Sequence, residues 1–450
     1  MIISNKKETF LLLVGDLFIF ALSLFVSLAL RGGELSLFVS FKEHLAAFLF
    51  IFIAWIFVFF IAGLYDKYKT ILKDSIPIVI FNAQLANSVI AIAFFYFIPY
   101  FGIAPKTILF LDLVVSFILV YIWRIYSNFI LGLKTKEPAI LVGSGEEMKS
   151  LEHEINNNPR SELVFVSSID LDAVSDHNFI NIIVKKVHEE NIAVIVADLK
   201  DERIESVLSN LYDLIFSGVR FINFDEVYEN IFDRVPLSLL KYNWFFENIS
   251  VDSKVAYDVL KRFTDIVIAI LVGIISLVFY PFIIILLMCD EGKGFFSVQE
   301  RVGKNNRIIK MYKFRTMKIA NDGGKWDGEE KNYVTKIGAF LRKTRLDELP
   351  QLWNVVFGDV SLIGPRPEFL NAVKTYEQEI PYYGIRHLIK PGLSGWAQIY
   401  HDNHPHHGIG IIETKEKLSY DLYYMKNRSF LLDIQIVLKT IKKLLSIKGI

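Results

Sequence analysis

Of the chain's 450 residues 53% are hydrophobic, too apolar for an ordinary soluble protein, while 22% are charged, so soluble regions must coexist with membrane segments. Acidic and basic side chains number 49 each, and a net charge of zero excludes a globally basic nucleic-acid binder and confines any anion site to a local cluster. The single cysteine, Cys289, excludes intrachain disulfides and a cysteine-based zinc site.

Apolar runs at about 10–30, 45–64, 76–101 and 107–131 each approximate the ~20 residues that cross a bilayer core. Residues 1–135 are therefore expected to form a bundle of four transmembrane helices, with no cleavable signal peptide ahead of them. Asp16, Asp112 and Arg124 fall inside these runs and read as polar contacts within the bundle or as snorkelling near an end. Lys6 and Lys7 precede the first run, Lys67, Lys69 and Lys73 separate the second from the third, and Lys134 and Lys136 follow the fourth. The opposite loops hold only Arg31, Lys42 and Lys106, so both ends of the bundle are expected in the cytoplasm.

Residues 136–235 alternate strand-like and helix-like segments, with buried parallel strands expected at 139–142, 163–166, 192–196 and 219–222. The run Ile140-Leu-Val-Gly-Ser-Gly-Glu-Glu gives strand, glycine turn and helix, a Rossmann-like start. Only Gly143 and Gly145 of the glycine fingerprint are present, and Met148 stands where the third glycine belongs. A structural or ligand-sensing domain fits this better than a working dinucleotide site. Residues 236–255 read as a linker.

A fifth apolar segment, 266–288, contains Pro281, which removes a backbone donor and should kink a helix around 279–281. From the residues alone, a kinked span and a re-entrant hairpin are both open.

Between Arg301 and Lys318 lie seven basic residues and no acidic one. Several suit a cationic face on anionic lipid. Arg315, within Lys313-Phe-Arg-Thr-Met317, reads as inward-pointing and so needs an anionic partner, a carboxylate or a phosphate. Asp347 and Glu348 follow a predicted helix at 337–346 and precede another beginning near Leu349. Asp347 as a simple N-cap accounts for one acid. It does not account for two acids flanked by Arg342, Lys343 and Arg345, a set suited to phosphoryl transfer with a divalent ion. A helix start there would offer free N–H groups to a phosphate. Gly364-Pro-Arg-Pro367 stiffens Arg366, which lowers the entropy lost in gripping an anion. The histidines at 401, 404, 406 and 407 read as a solvated loop, and 431–445 reads as an interfacial or a docking helix.

From about 254 to its end the chain resembles the bacterial sugar transferases, the monotopic polyprenyl-phosphate glycosyl-1-phosphate transferases. The resemblance rests on Lys261-Arg262-x-x-Asp265, Gln299-x-Arg301-x-Gly303, Lys313-Phe-Arg-Thr-Met317, and Thr344-Arg-Leu-Asp-Glu-Leu-Pro-Gln-Leu-Trp-Asn354. Gly358-Asp-Val-Ser-Leu-Ile-Gly-Pro-Arg-Pro-Glu368 and Lys390-Pro-Gly-Leu-Ser-Gly-Trp-Ala-Gln398 complete it, and the whole layout is similar to the long members of that family. The resemblance implies a mostly α-helical monotopic catalytic domain at 256–450, with 266–288 re-entrant. It implies that Asp347 is the nucleophile on a UDP-sugar and that Glu348 helps hold Mg²⁺. UMP would leave, and polyprenyl (undecaprenyl) phosphate would collect the sugar phosphate. Arg315, Arg345 and Arg366 are the expected diphosphate or nucleotide contacts, Arg301 a further expected substrate-binding residue, and Lys261 and Arg262 the expected contacts to the lipid phosphate. The expected setting is a bacterial inner membrane with the catalytic domain on the cytoplasmic face, where a true fifth crossing would carry the site away from UDP-sugar. A homo-oligomer is compatible with this layout. The loop at 403–413 departs from the family pattern and leaves the sugar open. The rival enzyme class, a membrane-anchored NAD-dependent nucleotide-sugar dehydratase or epimerase, would need a full glycine fingerprint. It would also need a Tyr-x-x-x-Lys pair placed after that fingerprint, and Tyr257 with Lys261 has that spacing but stands at the mouth of an apolar segment.

Overall fold

A computed structural model describes residues 5–31, 37–65, 76–97, 106–132, 136–158, 161–173, 178–205, 211–249, 254–292, 294–318, 333–400 and 410–445. The chain divides into two compact units, Met1–Ile231 and Phe232–Ile450.

In the first unit four helices, α1 (Asn5–Arg31), α2 (Leu37–Ala62), α3 (Ile76–Phe97) and α4 (Lys106–Gly132), pack in sequence, and α1 also packs on α4. All four are long and apolar enough to cross a membrane. The expected end of the third run at 101 lies outside the described residues. So do Lys67, Lys69, Lys73 and Lys134, which carry the orientation argument. Phe20, Phe48, Phe52, Trp55 and Phe59 fill the bundle core. The intramembrane charges find partners within it: Arg124 pairs with Asp16, whose Oδ2 also accepts the Tyr65 hydroxyl at 2.7 Å. Ser23 donates to Asp112 at 2.5 Å. Such contacts stabilise helix association where no water competes.

The same unit contains a parallel sheet of β1 (Glu137–Gly143), β2 (Leu163–Asp170), β3 (Val194–Ala197) and β4 (Arg220–Asn223), in the order β2-β1-β3-β4. Residues 139–143 of β1 are all buried, as a strand covered on both faces requires. This order is that of flavodoxin-type sheets, whereas a dinucleotide fold runs 3-2-1-4. The Rossmann-like expectation thus narrows to a doubly wound α/β sheet. In the glycine turn Gly145 takes φ +83°, and Met148 packs against Gly143, 3.7 Å from where its Cβ would be.

The second unit is mostly helical, with an antiparallel hairpin, β5 (Phe296–Val302) and β6 (Ile308–Phe314), and a short parallel pair, β7 (Ser361–Ile363) and β8 (Gly392–Ser394). Gly364 and Gly392 let that pair close: a Cβ on Gly392 would lie 2.0 Å from the Gly364 nitrogen. The segment expected as a linker is not slack. Leu240, Trp244 and Phe245 are buried in one core with Tyr376, Tyr383 and Leu422, because its apolar residues need cover.

The fifth apolar segment forms two helices, Val255–Ser276 and Tyr280–Met288, bent by 54°. The bend is made by i→i+3 hydrogen bonds at Val278, Phe279 and Tyr280. It precedes Pro281, which falls in the first turn of the second helix, where its missing N–H is not needed. The break, at 277–279, is therefore about two residues earlier than the expected 279–281 and overlaps it at Phe279. Helix Phe430–Leu445 docks one face through Ile436 and Asp433 and leaves Leu431 exposed. The histidines at 401–407 lie outside the described residues.

Candidate active site

Distant segments converge where helix Lys336–Thr344 ends. Thr335 caps its start: Oγ1 accepts the Gly338 N–H at 2.9 Å and donates to Asp290 at 2.7 Å. The helix stops because Arg345 takes left-handed angles, φ 59° and ψ 16°, and returns its N–H to the Arg342 carbonyl. That conformation costs a side-chain-bearing residue about 1–2 kcal/mol, and such strain gathers at functional sites. One 3-10 turn, Leu346–Glu348, then carries both acids, and Pro350 leads into helix Gln351–Phe357. Asp347 is therefore not an N-cap. Nor does the second helix begin with free donors at Leu352 and Trp353, whose N–H groups bond the Leu349 and Pro350 carbonyls at 3.2 and 3.1 Å.

The adjacent carboxylates differ in environment. Asp347 is 5% exposed and its Oδ1 has no hydrogen-bond partner. Burial, and then the charge of Glu348, push its carboxyl up to about 6, against the opposing pull of Lys313, Arg342 and Arg345. Glu348 is half-buried between two guanidinium groups, its Oε1 3.7 Å from Arg345 Nη1 and 3.8 Å from Arg366 Nη2. Both separations exceed a hydrogen bond.

Lys313 is the cation that sequence reasoning passed over for Arg315. It lies on the face of β6 that also carries Ile309 and Met311, so strict period-2 reading of that strand would have turned it inward. Burial and the nearby Arg301 and Arg342 push its amine down to about 8, although Asp347 and Glu348 pull the other way. Asn354, in the helix that follows the turn carrying Asp347, is bonded to the strand of Lys313: Nδ2 donates to the Lys310 carbonyl at 2.7 Å and Oδ1 accepts the Tyr312 N–H at 3.2 Å.

The other expected contacts divide in two. Arg345 and Arg366 reach Glu348 as described. Arg301 supports the proline turn from below: Nη1 donates to the Pro367 carbonyl at 3.1 Å and the guanidinium stacks 3.4 Å over the Phe369 ring. Burial pushes it down to about 10, so it remains a cation at neutral pH. Burial would raise Glu368 in the same turn, but Arg386, Arg301, Lys417 and Arg366 outweigh it and hold that carboxyl below its usual range.

Arg315, Lys261 and Arg262 do not join this cluster. Arg315 is fully buried, and its partners are the carbonyls of Leu287, Glu291, Gly294 and Met317 and the carboxylate of Asp290 at 3.2 Å. Of the two anions the sequence left open for it, a carboxylate, that of Asp290, lies within reach. Lys261 pairs with Asp433 at 2.9 Å, which Tyr257 and Tyr424 also bond at 2.8 Å. Arg262 donates to the Val355 and Val356 carbonyls at 2.6 and 2.9 Å, satisfying the C-terminal end of helix Gln351–Phe357.

Asp347, Glu348, Lys313, Arg342, Arg345 and Arg366 thus form one neighbourhood with positive charge in excess, able to receive a polyanion beside a buried carboxylate. No group of three or more acidic, histidine or cysteine side chains suited to a metal occurs among the described residues. The bacterial sugar transferase family model matches residues 256–447. The UDP-N-acetylgalactosamine-undecaprenyl-phosphate N-acetylgalactosaminephosphotransferase of Aeromonas hydrophila is 34% identical over 256 residues, 56% of this chain and 59% of that protein. An uncharacterized sugar transferase, EpsL, of Bacillus subtilis (strain 168) is 36% identical over 192 residues, 43% of this chain and 90% of its own length. The UDP-glucose:undecaprenyl-phosphate glucose-1-phosphate transferase of Escherichia coli (strain K12) is 39% identical over 188 residues, 41% of this chain and 40% of that protein. The chain thus spans less than two thirds of the Aeromonas and Escherichia proteins.

Proposed function

Because the chain belongs to the bacterial sugar transferase family, we propose that it transfers a sugar 1-phosphate from a UDP-sugar to a polyprenyl phosphate such as undecaprenyl phosphate. The names of the Aeromonas and Escherichia relatives support that reaction class. One observation carries the residue assignment: Asp347 is a buried carboxylate with an unpartnered oxygen, set among cations.

In this reading an Asp347 oxygen attacks the sugar-bearing phosphorus of the donor. The bond from that phosphorus to the bridging oxygen breaks, and UMP leaves with the oxygen and its electron pair. The sugar phosphate is then an acyl phosphate on Asp347. A phosphate oxygen of the polyprenyl phosphate attacks the same phosphorus, and the Asp347 carboxylate is released. Lys313 and Arg345 hold Asp347 ionised against burial and the charge of Glu348. Arg345 and Arg366 grip the diphosphate, and the proline on each side of Arg366 limits the entropy lost in doing so.

Two carboxylates suffice for Mg²⁺, which takes one or two from protein and fills its shell with substrate phosphate and water. Glu348, held loosely by its arginines, and the orphaned Asp347 Oδ1 fit that donor set. When bound, Mg²⁺ would neutralise charge developing on the diphosphate.

We read the bent helix pair as a re-entrant hairpin. Its apolar arms, 266–276 and 280–288, are each about 14–17 Å long at 1.5 Å per residue, near half of a ~30 Å hydrocarbon core. The ends of both arms bind the same unit. Asp265 accepts the Ser361 hydroxyl at 2.6 Å, and Arg315 ties down the Leu287 carbonyl and Asp290. That supports a return to the face of entry, the cytoplasmic leaflet where UDP-sugar is found. The test is release of UMP from UDP-sugars by membranes supplied with polyprenyl phosphate. Activity lost in Asp347→Asn with membrane insertion retained is the expected result, and near-normal turnover by that variant removes the assignment.

A further inference from the structure

The proline turn that carries Arg366 is held from two directions. On one side Val302 donates its N–H to the Glu368 carbonyl at 3.0 Å, alongside the Arg301 contacts. On the other side Arg386 Nη2 donates to the carbonyl of Arg366 itself, at 3.0 Å. Arg386 is 5% exposed and lies in the 3-10 segment Tyr383–Leu388. Its charge is balanced by Asp421 of helix Ile411–Asn427, 2.7 Å from the same Nη2, and its Nη1 donates to the Tyr383 hydroxyl at 2.6 Å.

A buried ion pair is a poor way to add stability, since desolvating both charges offsets most of their attraction, and well-packed apolar replacements often serve as well. What it supplies is geometry. Arg366 lies between two prolines, so its backbone is already restricted. A donor on its carbonyl then fixes the peptide plane, and with it the origin from which the side chain reaches Glu348, 3.8 Å away. We propose that Arg386, held by Asp421, is a positioning residue that aims the Arg366 guanidinium into the active site. This rests on the reading of Arg366 as a donor-diphosphate contact.

The experiment is a double-mutant cycle on UMP release in the full-length membrane protein, with Arg366→Ala, Arg386→Met and the pair. If Arg386 acts through Arg366, each single variant lowers kcat/KM for UDP-sugar by about tenfold or more. The pair is then no worse than Arg366→Ala within about twofold, because the second change has nothing left to misplace. KM for UDP-sugar rises, and KM for polyprenyl phosphate stays within about twofold. A neighbour that serves only the core would instead multiply its loss onto that of Arg366→Ala, and that result overturns the proposal. A harmless Arg366→Ala would sink the diphosphate reading itself, and the proposal with it. Arg386→Lys, which keeps the charge and one donor, is carried through the same cycle so that the coupling is read even where methionine prevents folding.

Discussion

Two turns in this chain lead from a regular element into a helix, and they treat negative charge in opposite ways. At Gly143–Gly145 the backbone has the form of a phosphate-binding loop, yet the first turn of α5 (Gly145–Asn157) presents Glu146 and Glu147, which repel an anion at the dipole's positive end. At 344–351 the backbone fits no named phosphate loop and the helix start offers few free donors, but arginines and Lys313 surround a buried acid. Familiar backbone shape without chemistry is a weaker sign of a site than chemistry on an irregular backbone.

The largest break in that comparison is expected from Asp347→Asn. On the proposed covalent route this removes the nucleophile and should lower UMP release by about a thousandfold or more, measured with the amount of inserted protein held constant.

Next come the residues that set the charge on Asp347. Its folded pKa of about 6 lies above the ordinary carboxylate range, so it takes up a proton as pH falls through 6 and cannot attack below that. The acid limb of kcat/KM for the free enzyme should therefore fall near pH 6. Lys313→Met removes a charge that lowers this pKa, so the limb should move to higher pH, with about a tenfold loss at pH 7. Glu348→Gln removes a charge that raises it, so the limb should move to lower pH even though overall activity falls. Limbs moving the same way in both variants would contradict the assignment of that pKa to Asp347.

The smallest effect belongs to the other turn. Glu146→Gln and Glu147→Gln should leave UMP release within about twofold of the unaltered protein, measured under the same conditions. A change of tenfold would mean that the glycine turn takes part in catalysis.

Much of this organisation could be read from the residues, and the failures have physical causes. The four apolar helices were legible because bilayer thickness sets a length that composition reveals directly. Pro281 signalled a break, but proline tolerates a first helical turn, so the bend fell before it at 277–279. Asp347, Glu348, Arg345 and Arg366 cluster because a few residues in one turn and one stiff loop bring them together. Lys313 and Arg315 could not be told apart by proximity in sequence. Strand alternation turns the first toward Asp347, while the second, just past the strand, is used up by carbonyls and Asp290. The partners of Lys261 and Arg262, at Asp433 and at the end of helix Gln351–Phe357, lie more than ninety residues away and left no local trace. Nor could composition announce the left-handed Arg345, where glycine would be the ordinary choice.

The most direct measurement is mass spectrometry of the protein incubated with UDP-sugar and Mg²⁺ but no polyprenyl phosphate. A sugar-phosphate adduct that maps to the peptide containing Asp347, is absent from Asp347→Asn and disappears when polyprenyl phosphate is added is the predicted result. An unmodified peptide, together with UMP released only when both substrates are present, would contradict the covalent route.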